Sequence, residues 1–141
     1  MKMFYIVERA SMLVPSGPIH DQARMHLFVM LTNPWHYENK EQLIIVSLSS
    51  VKSHNSFHHD KTCIITSEEQ AHKFIVKKSY IDYSKARLIE REKLHKGIEN
   101  DIFIEKGMIA EPCFKRIASG LLDSPHTKNY IKSAYRNYIA L

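Results

Sequence analysis

Three short runs of apolar residues in the first half of the chain are typical of β-strands. They are Met3–Val7, His26–Leu31 and Leu43–Leu48, and each contains aromatic or β-branched residues. The run from Leu43 to Leu48 is apolar almost throughout, which predicts a strand that is buried on both faces. Prolines and a glycine between positions 14 and 23 predict a loop before the second run.

Several further segments predict extended structure in the middle of the chain. They are Thr62–Thr66, His72–Val76, Ser79–Leu88 and Asp101–Glu105, the last of which also suits the start of a helix. Simple alternation along Ser79–Leu88 would place on one face the side chains of Tyr80, Asp82, Ser84 and Ala86. Between the last two segments, Glu90–Lys96 has the composition of a short helical turn that Gly97 ends.

The C-terminal part of the chain predicts two helices. Pro112 suits the first turn of a helix, and apolar residues then recur at helical spacing up to Leu122. The sequence Asp123–Ser124–Pro125 ends this helix. A second helix is predicted from Thr127, whose side-chain oxygen suits an N-cap.

Strands followed by helices predict an α+β fold that is mostly β. We expect a small, strongly curled antiparallel sheet or barrel with C-terminal helices packed on it. The 141 residues, 44% of them hydrophobic, suit one domain with a sizeable core. We expect this domain to span residues 1–124, and residues 125–141 to form a helical extension.

The chain carries features of a cytoplasmic protein that does not enter a membrane. No apolar stretch has the length of a membrane span, and Glu8 and Arg9 interrupt the N-terminal run too early for a signal peptide. Cys63 and Cys113 lie far apart in sequence and form no CxxC motif. We therefore expect buried thiols and no disulfide.

A lone arginine and a pair of serines flank two of the predicted strands. Arg24 precedes the second apolar run, and Ser49 and Ser50 follow the third. If these runs are neighbouring strands, a guanidinium and two hydroxyls meet at one edge of the sheet, a combination that suits a phosphodiester. His20 lies in the same loop as Arg24 and is a candidate for acid–base chemistry. A surface ion pair and a strand-end turn are the alternatives for Arg24 and the serines.

A second group of candidates combines basic and aromatic residues. The formal net charge of +5 favours polyanionic partners. A single-stranded nucleic acid needs cations for its phosphates and rings for its bases. The candidates for such binding are Lys52, His72, Lys77, Lys78 and Tyr80. The alternative is an ordinary edge strand whose lysines discourage pairing between sheets.

The histidines after the third strand are candidate metal ligands. His54 and His58 have a four-residue spacing, and His59 follows directly. The segment lacks helical periodicity, however, and a polar loop is the alternative. We expect no metal and no other cofactor, and a metal-dependent enzyme remains a third class of function.

Three passages together resemble a known family. They are Asp21-Gln22-Ala23-Arg24 leading into HLFVML, the run LIIVSLSSVKS with its terminal serines, and the order of elements from Phe74 to Ser124. This arrangement is similar to that of the PemK/MazF group of toxins. The Gly-Asp start of the first strand in that family is absent, and Met25 stands where the family commonly has proline.

The resemblance implies an SH3-like barrel that acts as an endoribonuclease on single-stranded RNA without a metal. It also implies a homodimer and an antitoxin protein as partners. On this resemblance Arg24 matches the catalytic arginine of the family, and Ser49 or Ser50 matches its catalytic threonine or serine. The alternative function is a non-catalytic barrel module that binds nucleic acid or a protein, which the missing start of the family pattern favours.

Overall fold

The computed structural model of the chain describes residues 3–15, 25–51 and 59–141. The strands are β1 (Ala10–Pro15), β2 (Met25–Met30), β3 (Trp35–Tyr37), β4 (Lys40–Ser50), β5 (Ile64–Ile65), β6 (Ser79–Glu90) and β7 (Ile104–Met108). The α-helices are α1 (Arg91–Glu99), α2 (Glu111–Asp123) and α3 (Asn129–Ile139), and a short 3-10 helix spans Ser67–Glu69.

The strands form one strongly curled, antiparallel half-barrel sheet. Its strand order is β5-β6-β4-β2-β1-β7, and β3, which is not part of this order, pairs with β4. The predicted α+β fold with a curled sheet and C-terminal helices is therefore confirmed. The central position of β4 explains why its sequence is so apolar, because both of its faces are covered.

Two hydrophobic clusters cover the two faces of the sheet. In the main core, Ile44, Val46 and Leu48 of β4 pack with residues of α2 and α3. In the second core, Leu43 and Ile45 of β4 pack with residues of α1. Alternate residues of one strand thus enter different cores, which confirms the predicted burial of β4 on both faces.

A bulge in β6 changes which residues face the main core. Ser47 of β4 pairs with Asp82, whereas Ile45 pairs with Arg87, so the residues between them on β6 lie opposite Val46 alone. The extra residues interrupt the simple alternation. Ala86 consequently joins Tyr83 in the main core. Its predicted place on the same face as Tyr80 and Asp82 is wrong.

The first strand begins later than the sequence predicts. Met3–Val7 is not a strand, and β1 instead includes Val14 and Pro15 from the predicted loop. Arg9 has a left-handed backbone with φ of 77°, which turns the chain before Ala10. Ile6 is buried in the second core instead of pairing in the sheet.

Three other local predictions are wrong. His72–Val76 is a turn and not an extended segment. Helix α1 continues through Gly97, where the ring of Phe103 packs so closely that an added Cβ would overlap it. Helix α3 starts at Asn129, after Lys128 as N-cap, because Thr127 is buried and not placed to cap the helix.

Helix α3 is packed against the sheet. Ile131 and Ala134 are fully buried in the main core. The Trp35 indole N–H donates to the Asn137 side-chain oxygen at 3.0 Å. The Tyr138 hydroxyl accepts the backbone N–H of Asn33 at 3.0 Å and donates to the Glu8 carboxylate. The C-terminal segment thus shares its core with the sheet.

Cys63 and Cys113 are free and buried in the main core, so the prediction of buried thiols is confirmed. Burial raises the pKa of both thiols, to about 11 for Cys113. Such thiols are poor nucleophiles at neutral pH. In the described parts of the chain, every helix is too short or too polar to cross a membrane.

Candidate functional site

A cleft of about 560 Å³ opens where β2 and β4 separate. The two strands pair only over Phe28–Met30 and Ile45–Ser47. Beyond these pairs, Met25–Leu27 of β2 and Leu48–Ser50 of β4 line the cleft. Its volume lies within the range of about 300–1,000 Å³ that is usual for small-ligand sites.

Residues from outside these two strands complete the described lining of the cleft. Ser79 and Tyr80 come from the start of β6, and His59 comes from the segment before β5. Phe74 and Ile75 come from the turn that precedes β6. The cleft therefore combines the ends of three strands with two connecting segments.

The end of β4 contributes consecutive residues to the cleft. Leu48, Ser49 and Ser50 all line it, although successive side chains of a strand point to opposite faces. This is possible because β2 no longer pairs with β4 at this point, so the cleft reaches both sides of the strand end. The strand separation thus makes both serines part of the cleft lining.

The described lining contains polar residues but no lysine, arginine, aspartate or glutamate. It includes three serines, Ser49, Ser50 and Ser79. The Ser79 hydroxyl donates to the carbonyl oxygen of Lys77 at 2.9 Å. Ser49 is partly buried and Ser50 is exposed.

A pair of rings lies on one side of the cleft. The imidazole of His59 contacts the ring of Tyr80, with 5.0 Å between the ring centroids and an angle of 40° between the ring planes. Tyr80 stands opposite Ser49 in the pairing of β4 with β6. Cross-strand neighbours have adjacent side chains, so the ring pair lies beside a serine hydroxyl.

The residue after His59 is a buried carboxylate. Asp60 accepts a hydrogen bond of 2.5 Å from the hydroxyl of Ser124, at the end of α2, and one of 2.9 Å from the backbone N–H of Thr62. Burial raises the pKa of Asp60, but these hydrogen bonds outweigh it, and the pKa lies below its ordinary value. Asp60 is therefore ionised at neutral pH and ties the segment of His59 to the helices.

His72 lies outside the cleft lining, although the sequence suggested contact with RNA. Its Nδ1 accepts the backbone N–H of Phe74, and its Nε2 lies 2.9 Å from both the Lys106 carbonyl oxygen and the Ser11 hydroxyl. Burial, together with the positive charge of Lys106, lowers the pKa of His72. The ring fixes the turn that brings Phe74 and Ile75 to the cleft.

The other predicted RNA-binding residues have different positions. Tyr80 lines the cleft. Lys77 and Lys78 are exposed and directly precede Ser79, without lining the cleft themselves. Lys52 lies outside the described residues.

Two predicted catalytic residues, His20 and Arg24, lie outside the described residues, whereas Ser49 and Ser50 both line the cleft. Met25, which follows Arg24 directly in the chain, lines it as well.

The candidate metal ligands do not form a site within the described residues. His54 and His58 lie outside these residues, and His59 contacts Tyr80. Over residues 3–15, 25–51 and 59–141, no three His, Cys, Asp or Glu side chains are grouped to hold a metal ion.

The sequence interpretation placed the loop of His59 beside the RNA groove and Phe74 among the rings near the basic residues, but it missed the bond between Asp60 and Ser124. The local sequence Asp60-Lys61-Thr62 is an available signal, since aspartate often accepts the N–H two residues later in a turn. Nothing local indicates Ser124, which is 64 residues away.

A scan against models of known protein families finds no match for this chain, and a search of curated proteins finds no significant match either.

Proposed function

We propose that the cleft binds single-stranded RNA and that the protein cleaves this RNA without a metal ion. The observation that carries the proposal is the cleft between β2 and β4, where the hydroxyls of Ser49 and Ser50 lie beside aromatic rings and no described carboxylate intrudes. RNA presents an anionic phosphate next to a flat base, and this lining offers a partner for each.

Cleavage would proceed by attack from within the RNA chain. The ribose 2′-oxygen loses its proton to a base and bonds to the adjacent phosphorus, while the bond from phosphorus to the 5′-oxygen breaks. An acid gives a proton to that leaving oxygen. The products are a 2′,3′-cyclic phosphate and a 5′-hydroxyl end, so no water, metal or co-reactant is consumed.

Each group has a role in this step. The hydroxyls of Ser49 and Ser50 donate hydrogen bonds to the non-bridging oxygens of the phosphate. The guanidinium of Arg24 stabilises the negative charge that builds up on these oxygens. His20 is the candidate that exchanges protons with the ribose and the leaving oxygen. Arg24 and His20 are part of the proposal because they precede Met25, a residue of the cleft lining, in the sequence.

The proposal is tested by incubating end-labelled single-stranded RNA with the protein in EDTA. We expect cleavage by the wild type, loss of about 100-fold or more in rate for Arg24→Ala, and a smaller loss for Ser49→Ala or Ser50→Ala. Ser133→Ala, at an exposed position of α3, is the matched control and should cleave like the wild type. Uncut RNA with the wild type, or equal cutting by Arg24→Ala, overturns the nuclease proposal.

The second candidate function is a non-catalytic module that binds nucleic acid or a protein partner. It is favoured by the apolar surface beside the cleft, where Phe74 is 47% exposed and Val76 is 72% exposed. Under this proposal the protein binds its partner, RNA stays intact, and Arg24→Ala weakens binding only. Expression in a host cell also separates the two, because a nuclease arrests growth and Arg24→Ala relieves the arrest.

A homodimer and an inhibitory antitoxin complete the first proposal. Both follow from the likeness to the PemK/MazF toxins. Sedimentation of the purified protein tests the dimer. Co-expression with the gene product encoded next to this chain tests the antitoxin, which should restore growth if the first proposal holds.

A further inference from the structure

We infer that His59 and Tyr80 form a platform on which one nucleobase of the bound RNA stacks, and that Asp60 and Ser124 hold this platform in place. The inference rests on the proposed function for the identity of the ligand as RNA. It assigns a base-binding role to His59, Asp60 and Ser124, which were not among the predicted RNA-binding residues.

The two rings are placed to receive a base. They contact each other at 5.0 Å between centroids, and both are only partly buried. Both also line the cleft, so a base held in the cleft lies within reach of both rings. Every base has a π-face, which makes such aromatic surfaces suitable for single strands.

The hydrogen bonding of His59 favours a stacking role over proton transfer. A histidine that moves protons is usually oriented by a hydrogen bond to its second ring nitrogen. The Nδ1 atom of His59 is buried and has no hydrogen-bond partner among the described residues. Among the described residues, its ring contacts Tyr80, and its neighbour Asp60 is anchored.

Asp60 anchors this side of the cleft to the C-terminal helices. Ser124 is fully buried at the end of α2, and its hydroxyl donates to Asp60 while accepting the backbone N–H of His126 at 3.1 Å. A buried carboxylate that accepts two hydrogen bonds has few other low-energy positions. Asp60 and Ser124 are therefore positioning residues for His59.

The platform lies next to the proposed phosphate site. Tyr80 is the cross-strand partner of Ser49, and residues in such pairs have adjacent side chains. One nucleotide can thus place its phosphate on the serine hydroxyls and its base on the rings. The ligand class that follows is an RNA strand with an unpaired base at this position, since a base held in a duplex offers no free face.

The test measures binding of 2′-O-methyl RNA oligonucleotides, which cannot be cleaved by the proposed step. One oligonucleotide has all its bases, and a matched set has one abasic position each. For the wild type, we expect one abasic position to weaken binding by about tenfold or more. Tyr80→Ala should weaken binding of the complete oligonucleotide to a similar degree and remove the effect of that abasic position.

Matched variants separate stacking from general damage. Tyr80→Phe keeps the ring and should bind like the wild type, as should Tyr130→Ala, which removes an exposed tyrosine of α3. His59→Ala should reduce the ratio of affinities for the complete and the abasic oligonucleotide. Ser124→Ala should reduce the same ratio in protein that is still folded by circular dichroism, an effect that a purely structural role does not predict.

The outcomes distinguish this inference from the proposed function. Unchanged affinity ratios in Tyr80→Ala and His59→Ala overturn the platform, even if the wild type cleaves RNA. Base-dependent binding that these variants abolish, together with uncut RNA, supports the platform and overturns the nuclease. A wild type that binds no oligonucleotide overturns both.

Discussion

At the scale of single residues, Gly120 of α2 leaves the space that the side chain of Tyr83 occupies in the main core. The Tyr83 side chain is fully buried, and its hydroxyl donates to the carbonyl oxygen of Ile117 in α2 at 2.7 Å. Burial strongly raises the pKa of Tyr83, so it remains protonated and keeps this bond. A Cβ at Gly120 would overlap the hydroxyl and ring of Tyr83. The glycine is therefore what allows α2 to approach β6.

Gly120→Ala should destabilise the protein by about 1–3 kcal/mol in urea unfolding, because the added methyl group forces the Tyr83 ring or α2 to move. Alanine is otherwise the better helix former by about 1 kcal/mol, so a stabilised variant would contradict this contact. Tyr83→Phe removes the hydroxyl oxygen, the atom nearest to the added methyl group. In that background, we expect Gly120→Ala to lower the free energy of unfolding by a smaller amount. Equal costs in both backgrounds would show that the hydroxyl is not the obstacle.

His72 should make stability depend on pH. Its pKa in the folded protein lies below the ordinary 6.5, so unfolding takes up a proton between these two values. The stabilisation is complete above about pH 6.5, and it is lost as the pH falls through the folded-state pKa. His72→Gln should lower the free energy of unfolding by about 1–2 kcal/mol at pH 7.5, because the hydrogen bonds of His72 are lost. At pH 5 the loss should be clearly smaller.

Urea unfolding of His72→Gln and wild type at both pH values measures this difference, in which the titration of the other histidines cancels. A difference in stability that is equal at pH 7.5 and pH 5 would contradict the role given to His72.

At the scale of elements, Arg116 joins α2 to the edge of the sheet. Its guanidinium donates to the Glu69 carboxylate at 2.5 Å and to the carbonyl oxygen of Ile64 at 2.8 Å. The hydrogen bond from Arg116 lowers the pKa of Glu69. This link connects α2 to β5, a short strand that also pairs with β6.

Arg116→Ala should cost about 1 kcal/mol at pH 7, since the side chain is partly exposed and water screens the ion pair. The ion-pair part of this cost is present above the unfolded-state pKa of Glu69 and disappears as the pH falls through its lower folded-state pKa. Lys115→Ala is the matched control, because Lys115 pairs with exposed Glu111 of the same helix, one turn away. Equal costs for the two variants, measured by urea unfolding, would contradict the link.

The elements also show what the sequence could and could not predict. The spacing of apolar residues predicted α2, and the unbroken apolar run predicted β4, because both patterns are local. The bulge in β6 depends on how four of its residues fit opposite Val46, which no local pattern contains. Likewise, the turn at His72–Val76 is held by a contact between His72 and Lys106, which is 34 residues away.

The candidate site was predictable to a similar extent. The serines at the end of β4 could be identified from their place after an apolar run, and they do line the cleft. The ring pair could not be identified, because His59 and Tyr80 come together only when the chain before β5 folds against β6. The anchor of that segment, Ser124, comes from the other end of the chain.

At the scale of the whole molecule, the C-terminal helix closes the main core. Ile131 and Ala134 are fully buried there, and Trp35 of β3 donates to Asn137 and packs edge-on against Tyr138, both of which belong to α3. The same segment begins directly after Ser124, which holds Asp60 beside the cleft. The stability of the molecule therefore depends on residues 125–141, which directly follow Ser124, the anchor of the cleft.

A chain that ends at Ser124 should lose several kcal/mol of stability, because it exposes the apolar surface that α3 covers. We expect it to bind the dye ANS, to lose its near-ultraviolet circular dichroism and to shift the emission of Trp35, the single tryptophan, to longer wavelength. Removal of the exposed Ala140 and Leu141 alone is the control and should change little. A truncated chain that unfolds cooperatively with unchanged stability would contradict the role of α3.

The most direct test of the central claim compares two single strands of the same sequence in EDTA, one of RNA and one of DNA. The proposed cleft chemistry predicts that the RNA strand is cut to fragments with a 2′,3′-cyclic phosphate and that the DNA strand, which lacks the 2′-hydroxyl, remains intact. Cleavage of both strands, or of neither, would contradict it.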